Sequence, residues 1–301
     1  MLDLGLKDFL LRIYDVHYKK FMVFSFLLLF SCMAFLAVNY FRTGDLFEKG
    51  VSLKGGITMT IPVDTAFDIH ELENSLGNRF PAADIGVREI TEAGVPVALI
   101  VEATDVTVKD LEGALPELGV KLEEGKYSIE SMGGALGQQF FSQTIKALIY
   151  AFIFMSIVVF FTFRSLIPSS FVILCSVSDI ISTLAVLNLL GVKMGTAGIA
   201  ALLMLIGYSV DTDILLTTKV LKRRSEGGTV FQRTAGALRT GLTMTATAIA
   251  AAIIGLIFTQ SDTIRQIMLI TLIGLIFDII YTWFQNAGIL RLYMERKYGS
   301  S

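Results

Sequence analysis

Charge is scarce in this chain. Asp, Glu, Lys and Arg together make up 17% of its 301 residues, where a soluble domain usually carries about 25%. That shortage argues against a single soluble core of this size. With 53% hydrophobic residues the chain is not disordered either, because disorder needs low hydrophobicity and high net charge. The formal net charge is -2, so there is no basic field to draw nucleic acid, and none is expected as a partner. Cysteine is nearly absent. Cys32 and Cys175 both sit in long apolar runs, too few for a disulfide framework or a zinc site. The two histidines, His17 and His70, belong to no catalytic constellation, and no Gly-rich phosphate loop opens a helix. The sequence therefore predicts neither an enzyme nor a resident cofactor or metal.

What the chain has instead is long apolar runs. A hydrocarbon core about 30 Å thick takes about 20 residues of helix. Six segments qualify: Phe21 to Phe41, Ala147 to Phe163, Leu166 to Gly191, Met194 to Thr218, Thr240 to Phe258 and Gln266 to Leu290. The first is too long for a signal-peptide core and has no clear small-x-small cleavage site after it, so it reads as a retained anchor. Lys7, Arg12, Lys19, Lys20, Arg164, the Lys219 to Arg239 loop, Arg291, Arg296 and Lys297 fall on one side. Only Lys193 and Arg265 fall in the opposite turns. By the positive-inside rule both termini are cytoplasmic. The expected organisation is a cytoplasmic N-terminus (1–20), a first span (21–41), an extracytoplasmic insert (42–143), a five-helix bundle (144–291) and a cytoplasmic tail (292–301), all in the lipid bilayer of the cell membrane.

The insert carries 8 basic and 17 acidic residues. Ile57 to Val63 alternates like a strand, and Asp68 to Phe80 has helical spacing with Asp68 as a possible N-cap. Asp84 to Thr91 and Val95 to Glu102 read as strands around a turn at Ala93-Gly94. Thr107 to Leu118 is again helical, and Tyr127 to Met132 is a last strand. The order βαββαβ predicts a ferredoxin-like α+β domain between spans one and two. Gly55, Gly56, Gly133 and Gly134 flank it, as turns, as close packing or as a hinge.

Four aspartates interrupt the apolar spans: Asp179, Asp211, Asp213 and Asp278. An acid at mid-depth costs about 2.5–3.5 kcal/mol on insertion scales, so such residues usually face a bundle interior or a wet cavity and often serve proton relays. At about 1.5 Å per residue, Asp179 and Asp278 lie near mid-depth, and Asp211 lies in the cytoplasmic half. Asp211 and Asp213 are two apart and point to nearly opposite faces. One is expected to face the bundle while the other caps or snorkels. Arg239, Thr243 and Thr247 recur at helical spacing, a cation followed by two hydroxyls. The expectation is an Asp211–Arg239 pair with Thr243 and Thr247 relaying hydrogen bonds, and Asp179, Asp213 and Asp278 as further proton-relay candidates. The competing reading is that these groups only bond across helices, at about 0.6 kcal/mol each.

Several of these segments resemble the SecD/SecF protein-export membrane protein family, within the resistance–nodulation–division superfamily. Ile206 to Leu216 is similar to its fourth-span signature, and Arg239-Thr240 with Thr243 and Thr245 to its fifth-span Arg-Thr motif. Gly50 to Gly56 resembles the Gly-Gly motif after the first span, Gly133 to Gln139 the Gly-rich approach to the second, and Asp179 the third-span aspartate. Six spans with one early insert suit the SecF side of the family, in an archaeal-type variant. Where bacterial members usually have Asn-Asp-Ser, this chain has Asp211-Thr212-Asp213. Ser178 replaces a common His, and Ser52 an acidic residue. The resemblance implies a SecD-like partner, a SecYEG-type translocation channel, a translocating polypeptide, and proton-driven assistance to export. The rival expectations are half of a small-molecule or lipid exporter of the same superfamily, and a non-energetic scaffold of the translocon.

Overall fold

A computed structural model of the chain describes residues 2–92, 95–123, 125–221, 229–259 and 261–298. The expected turn at Ala93-Gly94, and Lys222, Arg223 and Arg224 of the basic loop, lie outside the described residues. The chain divides into two compact units. One is helical (Met1–Glu48, Ala147–Lys193 and Ala197–Ser301). The other mixes strands and helices (Lys49–Lys146 with Met194–Thr196).

The mixed unit begins with α2 (Val51–Lys54) and runs β1 (Gly56–Pro62), α3 (Ile69–Arg79), β2 (Ile85–Glu92), β3 (Val95–Ala103), α4 (Val108–Glu117) and β4 (Ser128–Met132). Its sheet has the order β2-β3-β1-β4, with every neighbouring pair antiparallel. Alternation decides which side is core. Met59 pairs with Val101, and Val101 with Val87, so these side chains share one face. They close over Leu76, Leu111 and Leu115 from the two helices, all fully buried. The helix starts are set locally. The Asp68 carboxylate accepts the Glu71 amide at 3.0 Å. Thr107 and Asp110 form a reciprocal capping box.

Gly55 has φ +89°, and a Cβ there would overlap the backbone of Gly134; a Cβ on Gly137 would come within 2.7 Å of the Gly55 nitrogen. The glycines considered as hinges, Gly55, Gly56, Gly133 and Gly134, thus all lie inside this unit. Gly55 and Gly134 are in backbone contact, and this stretch of the unit runs on to Lys146.

The helices continue with α1 (Leu2–Thr43), α5 (Gly134–Phe163), α6 (Leu166–Leu189), α7 (Thr196–Leu221), α8 (Val230–Phe258), α9 (Asp262–Ile280), a π-helical turn (Tyr281–Asn286) and α10 (Ala287–Tyr298). Among the described residues, six helical segments are long and apolar enough to cross a membrane, Ile13–Thr43 and Thr263–Lys297 being two of them. Helices α1 and α8 run well beyond the predicted spans Phe21 to Phe41 and Thr240 to Phe258, since no proline or glycine pair stops them.

In the helical unit α6 and α7 are the most enclosed helices, while α5 and α8 expose most of their apolar surface, including Phe154, Phe161, Ile257 and Phe258. The π turn is buried almost throughout, with Tyr281, Thr282, Trp283, Gln285 and Asn286 inside. A π turn leaves the regular i→i−4 ladder. The Trp283 carbonyl is taken up by the Tyr14 hydroxyl of α1 at 2.6 Å. Nearby, Arg291 of α10 joins Asp15 at 2.5 Å and Glu295 at 3.0 Å, with its guanidinium 4.1 Å from the Tyr18 ring centre. These contacts join α1 at Tyr14, Asp15 and Tyr18 to the π turn and α10.

Candidate functional site

Three carboxylates from three helices meet inside the helical unit. Asp179 on α6 and Asp213 on α7 are fully buried, and Asp278 on α9 is 1% exposed. They are joined through hydroxyls and one carboxamide. Ser209 of α7 donates to Asp179 Oδ2 at 2.5 Å. Thr282 lies 3.1 Å from both Asp213 Oδ1 and Asp278 Oδ1. Thr212 reaches Asp278 Oδ2 at 3.2 Å. Asn286 donates its amide to Asp213 Oδ1 at 2.7 Å. Cys175 sits at the edge, its sulfur 3.8 Å from the Thr282 hydroxyl.

Among the described residues, no Lys, Arg or His is paired with Asp179, Asp213 or Asp278. Among the described residues, no group of three or more His, Cys, Asp or Glu is placed to hold a metal ion. Four buried oxygens of the cluster and its rim lack a donor: Asp179 Oδ1, Asp213 Oδ2, Gln285 Oε1 and Asn286 Oδ1.

The expected Asp211–Arg239 pair does not form. Both side chains are exposed, and no ion pair joins them. The reason lies in α7: a step of two residues turns the side chain by roughly 200°, and the buried face carries Asp213. Nor do Thr243 and Thr247 form a relay. Each donates to its own helix backbone, Thr243 to the Arg239 carbonyl at 2.8 Å and Thr247 to the Met244 carbonyl at 2.7 Å. Tyr208, Asp211, Arg239, Thr243 and Thr247 are all exposed, a polar set on α7 and α8.

The sequence pointed to none of Thr282, Gln285 and Asn286, and gave no role to Ser209 and Thr212 within the Ile206 to Leu216 segment. A partial signal existed, because Thr282 and Asn286 stand four and eight residues after Asp278. The π turn and its buried Trp283 had none.

Comparison with known proteins places this architecture. Residues 116–296 match the family model described as protein export membrane protein SecD/SecF, C-terminal. A protein-export membrane protein SecF from Pyrococcus furiosus is 34% identical over 99% of this chain and 98% of its own length. One from Methanocaldococcus jannaschii is 39% identical over 82% of this chain and 87% of its own. The crystal structure of SecDF, a translocon-associated membrane protein from Thermus thermophilus, is similar over 94% of this chain with a TM-score of 0.75 at 15% identity. The similar region spans 38% of that longer SecDF chain.

Proposed function

The chain belongs to the SecD/SecF family of protein-export membrane proteins, and we propose that it acts as the SecF-type auxiliary subunit of the Sec export machinery. In this role it pairs with a SecD-like subunit, works beside a SecYEG-type channel, and promotes passage of a polypeptide across the cell membrane, coupled to the proton gradient. The observation that carries the proposal is near end-to-end similarity to the SecF of Pyrococcus furiosus. The mixed unit is read as a ferredoxin-like domain on the extracytoplasmic side, with both termini cytoplasmic, in keeping with the distribution of Lys and Arg.

The exposed set Tyr208, Asp211, Arg239, Thr243 and Thr247 supports a second subunit. Charged side chains within a membrane usually turn towards a bundle interior or a wet cavity. A partner's helices laid on α7 and α8 would provide that interior. An acidic or hydroxyl-bearing helix suits Arg239, and a donor suits Asp211.

Purification of the tagged chain in mild detergent tests the proposal. A SecD-like protein is expected to come with it, and Arg239→Glu is expected to reduce its recovery at least several-fold. A strain lacking the chain should accumulate unexported precursors, restored by the wild-type chain. Recovery of no such partner, together with normal export in the deletion strain, would refute the proposal.

A further inference from the structure

Asp179, Asp213 and Asp278 lie apart from the exposed Asp211–Arg239 face and have a different makeup: among the described residues no cation joins them, and their partners are hydroxyls, an amide and the Cys175 thiol. The titratable groups nearest them are Cys175 of α6 and Tyr281 of the π turn, with Cys32 of α1 close to Tyr281. The Tyr281 hydroxyl is engaged by Ser182 at 2.6 Å. None of these brings positive charge.

Beside the three acids the unpartnered buried atoms are acceptors, while the Trp283 indole N–H of the same π turn is a buried donor without an acceptor. Asp179 Oδ1, Asp213 Oδ2, Gln285 Oε1 and Asn286 Oδ1 are buried acceptors without donors. The Thr282 hydroxyl has one proton for two carboxylates. Gln285 and Asn286 are both fully buried, and the Asn286 carboxamide abuts Asp213. Such a site is short of protons bound to oxygen. Protonated carboxyl groups would supply them.

We propose that Asp179, Asp213 and Asp278 form a proton-binding site internal to this chain, in which Thr282 of the π turn passes the proton and Asn286 is a positioning residue. Thr282 joins two of the acids. The Asp278 carboxyl gives its proton to the Thr282 oxygen while the Thr282 hydroxyl gives its own to Asp213. One O–H bond breaks and one forms at the threonine, and the negative charge passes from Asp213 to Asp278. The π turn places Thr282, Gln285 and Asn286 inside together, and π turns occur frequently at functional sites. The proposal deepens the proton-coupling reading and rests on it for the use of the site.

Infrared difference spectroscopy of the full chain in lipid, with any co-purifying partner, tests it by the carbonyl stretch of protonated carboxyl groups. At neutral pH the wild type is expected to show this band and to shift it in D2O. Asp179→Asn, Asp213→Asn and Asp278→Asn should each remove part of its intensity, and Asp211→Asn should not. Thr282→Val keeps the side-chain shape but removes the shared hydroxyl, so the band should move to higher wavenumber, a change that packing alone would not produce. Absence of the band at neutral pH, insensitivity to D2O, or no effect of all three Asn variants would overturn the proposal. So would loss of the band on adding sodium at fixed pH, which would make the site one for a metal cation. If the Asn variants fail to fold, the D2O and Thr282→Val measurements decide. The band does not depend on export, so a chain that shows it without recruiting a SecD-like partner would sink the export reading and leave this one standing.

Discussion

Asp213 and Asn286 meet at 2.7 Å, carboxylate to amide, although 73 residues separate them. Asp211, two positions before Asp213 on the same helix, lies exposed. One contact thus separates the interior acid of α7 from the surface one, and the two should respond differently to substitution.

Asp213→Ala leaves the Asn286 amide short of a buried acceptor, while the Thr282 hydroxyl keeps Asp278. Stranding such a group costs about 1–3 kcal/mol. Asp213→Asn keeps an acceptor oxygen and removes a charge without a counter-ion, so it should be tolerated. Asp211→Asn should stay within about 0.5 kcal/mol, as surface substitutions do. Thermal unfolding of the three variants in one detergent checks the order.

Gly241 of α8 is where the Trp283 ring approaches that helix, since a Cβ would overlap the indole. Gly241→Val should destabilise by about 1–3 kcal/mol, the usual range for overpacking. Pairing it with Trp283→Leu should recover part of that loss. A double-mutant cycle with no coupling between the two positions would contradict the contact.

Glycines in the mixed unit should divide by environment. Gly55→Ala places a Cβ into the Gly134 backbone at φ +89°, so the unit should lose at least about 1 kcal/mol. Gly77 in α3 and Gly113 in α4 have open space around them, and alanine there should gain about 0.5–1 kcal/mol of helix stability. Hydrogen exchange of the sheet amides in the full chain reads both effects.

Acid should loosen the mixed unit first around its caps. The Thr107 hydroxyl and amide hold the Asp110 carboxyl below its usual range, and Arg79 does the same for Glu117. Their folded values lie below their unfolded ones. The contribution is therefore present above about pH 4, near the ordinary carboxylate values, and is lost as pH falls through the folded values. Amide exchange in α3 and α4 should accelerate below that pH. Added salt should weaken the Arg79–Glu117 part more than the Thr107–Asp110 part, because screening acts on exposed charges.

Much of the architecture was legible because it is local. Hydropathy over about 20 residues marks the spans, since each must satisfy its own backbone in oil. Asp68 and Thr107 announce helix starts because capping needs only the next three residues. Alternation at Ile57, Met59 and Ile61 shows which side of β1 is core.

The sequence by itself determined that acids stand in apolar spans and that Asp211 and Asp213 must diverge. Only the tertiary structure decided which of them enters the interior. That choice depends on which face of α7 packs against α6 and α9, and helical periodicity is the same for either face. The π turn is a second such case. Nothing in Tyr281 to Asn286 signals a widened turn, yet it places Thr282 and Asn286 against Asp213. Its form depends on groups distant in the chain: the Tyr14 hydroxyl on its carbonyl, and Gly241 leaving room for its indole.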